Sequence, residues 1–182
     1  MAACEQTKGL SILDHGNMVH DYFMDLISYL NNEPTQFDWR MPSWIDDNKK
    51  FLLDNLMPMD ILKQYQIYHD IGKPYCLTID GEGKRHFPDH ANVSYQIWIN
   101  LDGDEVIGNL IKSDMDIHLL KSEELENFSN RPEAISLLLT GLSEVHANAS
   151  LFGGIQSTSF KIKLKHIDKR GKQILNIKKG AI

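Results

Sequence analysis

Residues 68–74 read Tyr-His-Asp-Ile-Gly-Lys-Pro, and this run carries the strongest structural signal in the chain. Apolar side chains recur at helical spacing from Asp60 to Ile71, and the glycine and proline of the run end that predicted helix. His69 and Asp70 therefore lie near a helix end. A buried imidazole and a buried carboxylate are costly unless they pair with other groups or bind a metal ion.

Helical spacing also appears on both sides of this run. The further helices that it predicts span Ser11–Leu30, Asp46–Leu56, His90–Leu101, Asp104–Leu120 and Pro132–Ala149. Between Tyr75 and Phe87, two extended pieces flank a glycine-rich turn, which predicts a small internal hairpin. The body of the chain is therefore expected to be a helical bundle.

The end of the chain has a different pattern. Residues 160–165 alternate between apolar residues and lysine, a turn-like segment follows at 168–172, and residues 173–177 could pair back. This pattern predicts a C-terminal β-hairpin. The expected organisation is a helical domain over residues 1–154 and a basic β-hairpin appendage over residues 155–182, giving a mostly α fold.

Charge is unevenly distributed over the 182 residues, whose net charge is −6. From Ile155 onward, eight lysine or arginine residues accompany a single acid, Asp168, so this end carries +7 and the remainder carries −13. An acidic body suits a metal enzyme, and a basic end could contact phosphates or simply be solvated.

The sequence also indicates in which cellular compartment the protein is expected. No apolar run approaches the roughly 20 residues needed to span a bilayer, and the first residues show no secretion signal. The two cysteines, Cys4 and Cys76, are expected to be reduced thiols. We therefore expect a soluble, cytoplasmic protein that does not contact membranes.

Several polar residues fall where a helical bundle would have its core. Taken singly, each has an ordinary explanation as a solvated or internally paired side chain, but several in one small bundle suggest a shared cation, for which histidine and carboxylate are suitable ligands. They are His15, His69, Asp70, Asp114, Asp116, Glu144 and His146.

Residues 68–74 resemble the signature of the HD-domain phosphohydrolase superfamily. The segment His15-Gly-Asn-Met-Val19 resembles the first-helix segment of that family, and Arg85–His90 is similar to the HD domain of bacterial tRNA nucleotidyltransferases, the CCA-adding enzymes. The resemblance covers roughly His15 to Ala149 and implies an HD-type helical bundle. The ten residues before Ser11 are too few for a nucleotidyltransferase domain, so only the hydrolase part is expected.

The resemblance implies a metal site. By analogy, His15, His69, Asp70 and a late carboxylate hold one divalent ion, and Glu144 occupies the late position, where the family usually has aspartate. The remaining metal candidates are Asp114, where binuclear members carry a histidine, Asp116, a rival for the last position, and His90 and His86, which could bind a second ion. The metal is expected to be Mn, Mg, Ni, Zn or Fe.

The resemblance also implies catalytic roles. Asp70 would orient or deprotonate the attacking water, Lys73 would neutralise charge on the phosphate, and His90 would protonate the leaving group. The expected activity is metal-dependent hydrolysis of a nucleotide or RNA-end phosphate ester, either a phosphomonoester or a 2′,3′-cyclic phosphate. The basic C-terminal hairpin is expected to offer a nucleic-acid contact.

Two other functions stay open at this point. Glu144 and Asp114 differ from the residues that the HD family usually has at these positions. The protein could therefore be a non-catalytic HD-fold module that binds nucleotide or nucleic acid. Some HD proteins with extra histidine and carboxylate ligands are di-iron oxygenases, which is the third expectation. The sequence does not indicate an oligomeric state.

Overall fold

The computed structural model describes residues 1–7 and 9–180. Most of these residues are helical. The helices are α1 (Ile12–Leu30), α2 (Lys49–Asp54), α3 (Met59–Tyr68), α4 (Lys73–Cys76), α5 (His90–Asn100), α6 (Glu105–Lys112), α7 (Asp116–Leu119), α8 (Leu125–Ser129), α9 (Ala134–Leu151) and α10 (Thr158–Gly180). Short 3-10 helices at Asp46–Asn48 and Ser122–Glu124 precede α2 and α8. The predicted mostly helical class is therefore confirmed.

The described residues also form two small antiparallel strand pairs. Strand β1 (Glu5–Thr7) pairs with β2 (Leu10–Ser11), and β3 (Thr78–Ile79) pairs with β4 (Arg85–His86). The second pair is the internal hairpin predicted between Tyr75 and Phe87. The first pair was not predicted, because strands this short carry too few residues for a clear alternation.

The chain divides into two compact units, each formed by two separate segments. The first unit comprises Met1–His20 and Met59–Met115, and the second comprises Asp21–Pro58 and Asp116–Ile182. The C-terminal segment, predicted as an appendage beginning at residue 155, belongs to the second unit together with residues 116–154.

The core of the first unit is built from the apolar faces of its helices. Helix α6 packs against α3 and α5, and its Ile107, Leu110 and Ile111 are buried at the i, i+3, i+4 spacing of one helix face. The Asp104 side chain caps α6 by accepting hydrogen bonds from the amides of Val106 and Ile107.

In the second unit, α9 packs against α7 and α10. It is the most thoroughly buried helix, and nearly every residue from Ala134 to Ala147 is inaccessible to solvent. Asp25 fixes the segment that follows α1 by accepting hydrogen bonds from the backbone amides of Gln36 and Phe37 and from the Trp39 indole.

The prediction of a C-terminal β-hairpin is wrong, because this segment forms the long helix α10. The alternation over residues 160–165 is too short to distinguish a strand from one flank of a helix, and Ile162 is in fact exposed. The buried side chains follow the helical repeat instead, at Phe160, Leu164, Ile167, Ile174 and Leu175.

The apparent turn at residues 168–172 is also part of α10. Lys172 pairs with Asp168 one turn away, and Gly171 is required by packing, not by a turn. A Cβ atom on Gly171 would lie 2.4 Å from Cζ2 of the buried Trp44 ring. The glycine makes room for the indole.

One predicted helix is interrupted. The segment Asp104–Leu120 forms α6 and then α7, with Ser113 capping the end of α6 and Asp114 in the turn between the two helices. Asp116 begins α7.

Among the described residues, no helix combines the length and the apolar character needed to cross a membrane.

Candidate metal centre

Three side chains of the first unit meet in its interior. His15 comes from α1, and His69 and Asp70 come from the turn that follows α3. One ligand-type atom from each of these residues lies within 4.8 Å of the others, and all three residues are buried. The sequence prediction that His15 meets the His69–Asp70 pair is therefore confirmed, and this group could hold a metal ion.

Gly16 explains how α1 comes so close to α3. A Cβ atom at Gly16 would lie 2.2 Å from the carbonyl oxygen of Ile67, far inside van der Waals contact. Only glycine permits the two backbones to approach this closely. Because His15 precedes Gly16 and His69 follows Ile67 by two residues, the same contact brings the two imidazoles together, with ring centroids 5.5 Å apart.

A second glycine fixes the other side of the site. The amide of Gly72 donates a hydrogen bond of 2.9 Å to the buried Ser94 hydroxyl on α5, and a Cβ atom at Gly72 would lie 2.4 Å from the Ser94 amide nitrogen. Helix α5 is therefore seated directly on the turn that carries Asp70. Its first residue, His90, lies with Nε2 3.6 Å from Asp70 Oδ1.

Backbone hydrogen bonds orient two of the imidazole rings. His69 Nδ1 lies 2.7 Å from the Gln66 carbonyl oxygen, and His90 Nδ1 lies 3.1 Å from the Phe87 carbonyl oxygen. A carbonyl only accepts, so each Nδ1 carries a proton. Each ring therefore presents Nε2 to Asp70, and such anchoring of the far nitrogen is typical of metal-ligating histidines.

The Nε2 of His69 lies 3.2 Å from Asp70 Oδ2. If the ring is neutral, two acceptors face each other at this distance in a buried site. That arrangement is repulsive unless a proton or a metal cation lies between them. The donor set of imidazole nitrogen and carboxylate oxygen fits a first-row divalent metal ion.

Asp70 is the negatively charged centre of the site. Burial by itself raises the pKa of its carboxyl group, but the neighbouring His69, Lys73 and His15 outweigh burial and hold that pKa well below its usual range. Asp70 is therefore a carboxylate, the form that binds a metal ion.

Lys73 is the closest cation to this carboxylate. Its Nζ lies 2.6 Å from Asp70 Oδ2 and donates a second hydrogen bond of 3.0 Å to Gln6 Oε1 on β1. The lysine is buried, and its ammonium lies 5.3 Å from the centre of the Phe87 ring. The N-terminal strand thus helps to hold Lys73 at the site, a role for Gln6 that no sequence motif indicated.

Asp114, the predicted ligand from the α6–α7 turn, does not belong to the described three-residue group. It is buried and accepts a hydrogen bond of 2.8 Å from the Tyr65 hydroxyl on α3. Tyr65 lies one helical turn before His69. Asp114 therefore braces the helix that leads into the site, and its role as a ligand stays a prediction.

The two late carboxylates belong to the second unit and have partners there. Glu144 Oε2 lies 2.8 Å from Nε2 of His118, and Asp116 accepts a hydrogen bond of 2.6 Å from Arg131. Their predicted roles as the last metal ligand also stay predictions.

His86 lies at the end of the exposed strand β4. Its Nε2 pairs at 2.7 Å with Asp80 Oδ2 in the same hairpin, and this hydrogen bond is the main reason why the pKa of Asp80 falls to about 2. The pair braces the hairpin, and the predicted role of His86 at a second ion stays a prediction.

His146 occupies a different environment, in the second unit. Its Nδ1 donates to the Leu142 carbonyl oxygen, and its Nε2 accepts a hydrogen bond from the Arg40 amide. The ring packs between Trp39 and Phe160, and burial lowers its pKa to about 4. His146 is therefore a neutral core histidine.

Sequence reasoning identified the charged residues of the centre and missed its supports, which are Gly16, Gly72, Ser94, Gln6 and the Gln66 carbonyl. Two of these had a usable signal, because Gly16 directly follows a candidate ligand and Gly72 follows another by two residues. Comparison with known proteins adds no further information, since no protein-family model, no curated protein and no solved structure matches this chain.

Proposed function

We propose that the protein is a metal-dependent phosphohydrolase of the HD type. The observation that carries this proposal is the arrangement around Asp70, where two imidazoles anchored at Nδ1 turn Nε2 toward one buried carboxylate. His15 supplies a third imidazole to the group. The resemblance of residues 68–74 and 15–19 to the HD superfamily supports the same assignment.

His15, His69 and Asp70 would hold the ion. Three ligands from the protein would leave coordination positions for water and substrate, as catalytic sites require. The imidazole ligands favour Fe, Ni or Zn, and the carboxylate ligand also suits Mn or Mg. A divalent ion held there would polarise a phosphate oxygen and would lower the pKa of a bound water molecule toward neutrality.

The remaining charged groups have distinct tasks in this proposal. Lys73 supplies a fixed positive charge beside Asp70, and a buried ammonium is well suited to stabilise negative charge that develops on a phosphate. His90 has the most accessible imidazole of the three, with 17% of its side chain exposed against 2% for His69 and none for His15. It is therefore the group best placed to donate a proton to a leaving oxygen.

The substrate class follows from the resemblance and stays general. A nucleotide or RNA-end phosphate ester, either a phosphomonoester or a 2′,3′-cyclic phosphate, is the proposed substrate. The HD analogy assigns further ligands. It makes Glu144 or Asp116 the last ligand of the first ion, and it places Asp114 and either His90 or His86 at a second ion.

The first test is a metal analysis of the purified protein, followed by a phosphatase panel of nucleotides and cyclic phosphates with and without chelator. We expect close to one bound divalent ion per chain and chelator-sensitive hydrolysis. His69→Ala and Asp70→Ala should lose both metal and activity while keeping the helical circular dichroism spectrum.

His166→Gln is the matched control, because His166 lies on α10, where it hydrogen-bonds the Ile117 carbonyl oxygen. Full activity in both His69→Ala and Asp70→Ala would contradict the proposal. A folded protein without metal or hydrolysis would favour the non-catalytic module. Two irons and oxygen-dependent turnover would favour the di-iron oxygenase.

A further inference from the structure

One face of α10 carries a line of lysines. Lys161, Lys165, Lys172 and Lys179 are separated by four, seven and seven residues. At 100° per residue these four positions fall within about 40° of each other on the helix surface, and at 1.5 Å per residue they extend over about 27 Å. The line lies beside the buried face of α10, so it borders the surface where the helix meets the rest of the second unit.

Two adjoining grooves follow this line. The first, of about 660 Å³, lies between Lys161 and Lys165 of α10 and the segment Arg40–Ser43. The second, of about 410 Å³, lies between Lys172 and Lys179 of α10 and the segment Ser43–Asn48. Ser43 borders both grooves, which makes them neighbours along the helix.

The grooves are electropositive although the chain as a whole is acidic. Five cations line them, and the carboxylates among their lining residues are Asp168 and Asp47. Of these cations, Lys172 pairs with Asp168. Within the described residues 1–7 and 9–180, Arg40, Lys161 and Lys165 form no ion pair.

Hydrogen bonds anchor the backbone segment that carries Arg40. Its amide donates to the buried His146 ring, and the preceding Trp39 is held by a hydrogen bond from its indole to Asp25. Arg40 therefore lines the first groove from an anchored backbone segment, on the side opposite Lys161 and Lys165 of α10. Met41 and Leu164 add apolar surface to the same groove.

From this arrangement we infer that the α10 face binds the phosphodiester backbone of a single-stranded nucleic acid. A small anion needs one cluster of cations, whereas a line of about 27 Å matches an extended chain of regularly spaced phosphates. A membrane surface would favour exposed lysines without a groove, and here the cations border concave surfaces that admit a strand. The inference does not depend on the metal centre of the first unit.

The test is fluorescence anisotropy of a labelled single-stranded RNA of about 20 nucleotides, titrated with the full chain in EDTA at several salt concentrations. We expect micromolar binding at low salt, as is usual for backbone contacts. Lys161→Gln/Lys165→Gln should weaken binding at least tenfold and reduce the slope of log K against log salt by about 1.4, at roughly 0.7 per lost phosphate contact.

Lys163→Gln/Lys169→Gln is the matched control, because it removes the same charge from exposed positions of the same helix that border neither groove. This control should bind RNA like the unmodified chain. Absence of RNA binding at low salt, equal losses in both double variants, or binding only to vesicles of phosphatidylcholine and phosphatidylserine would each overturn the inference. Both double variants should keep the metal content and the phosphatase activity, so this test and that of the proposed function can fail separately.

Discussion

The position of the His15 side chain depends on Gly16, the residue that follows it. The chain can place this imidazole beside His69 because Gly16 has no side chain to separate α1 from the Ile67 carbonyl. A backbone oxygen in a helix cannot move aside as a flexible side chain can. The geometry of the candidate metal centre therefore depends on Gly16 as well as on His15, His69 and Asp70.

The variant Gly16→Ala tests this dependence. Alanine is more favourable than glycine in a helix by about 1 kcal/mol. A Cβ atom at this position, however, would lie 2.2 Å from the Ile67 carbonyl oxygen and must push α1 and α3 apart. Overpacking of this kind costs about 1–3 kcal/mol. We expect lower stability by urea unfolding and at least tenfold weaker metal binding by titration calorimetry.

Gly108→Ala is the comparison for that experiment. Gly108 lies in α6 of the same unit, and its nearest neighbours are side-chain atoms at 3.0–3.3 Å from a Cβ atom. This variant should bind metal normally. Equal metal affinity in Gly16→Ala and Gly108→Ala would contradict the role given to Gly16.

His146 makes the second unit sensitive to acid. Its pKa is about 4 in the folded chain and 6.5 ordinarily. Between pH 4 and pH 6.5, His146 binds a proton in the unfolded chain but stays neutral in the folded chain. Its contribution to the free energy of unfolding is therefore fully present above pH 6.5 and is lost as the pH falls toward 4. By pH 4.5 the loss amounts to about 2.5 kcal/mol.

His146→Gln should lack this component, because an amide side chain does not titrate and can still accept from the Arg40 amide. Urea unfolding of both proteins at pH 7 and pH 4.5 gives the comparison. The original chain should lose about 2.5 kcal/mol more than the variant over this interval. Parallel losses would show that His146 is not the titrating group.

Among the elements, α10 shows how packing overrides a local pattern. Gly171 is unfavourable within a helix by itself, and it is accommodated because the Trp44 ring occupies the place of its side chain. The two residues are 127 positions apart, so no local reading of the sequence connects them.

Gly171→Ala sets two effects against each other. Helix propensity should stabilise the variant by about 1 kcal/mol, and contact with Trp44 at 2.4 Å should destabilise it by more. We expect a net loss of about 1–2 kcal/mol in thermal or urea unfolding.

The double-mutant cycle with Trp44→Leu isolates that contact. In the Trp44→Leu background, Gly171→Ala should be neutral or stabilising, because the indole is gone. A loss of the same size in both backgrounds would disprove the packing explanation.

For the molecule as a whole, the sequence predicted those features that depend on short-range signals. The helical periodicity and the internal hairpin are of this kind. The meeting of His15 with His69 and Asp70 joins residues far apart in the chain, and it was expected because of the resemblance to the HD superfamily. The adjacency of His69 and Asp70 near a helix end was a strong signal because it is a specific and unusual arrangement of polar residues.

The features that could not be predicted depend on partners distant in sequence. Asp114 was considered as a metal ligand or as an ordinary solvated or paired carboxylate, and its hydrogen bond to Tyr65 becomes visible only when α3 and α6 pack together. Glu144 likewise pairs with His118 on another helix. A carboxylate inside a predicted helix indicates that it needs a partner, without indicating which partner.

The most direct test of the metal centre is anomalous diffraction from crystals grown with Mn²⁺ or Zn²⁺, measured at the absorption edge of the metal. We predict a peak about 2.0–2.2 Å from His69 Nε2 and an Asp70 carboxylate oxygen, with His15 as a further ligand. A metal-loaded crystal with its peak away from these three residues, or with no peak at all, would contradict it.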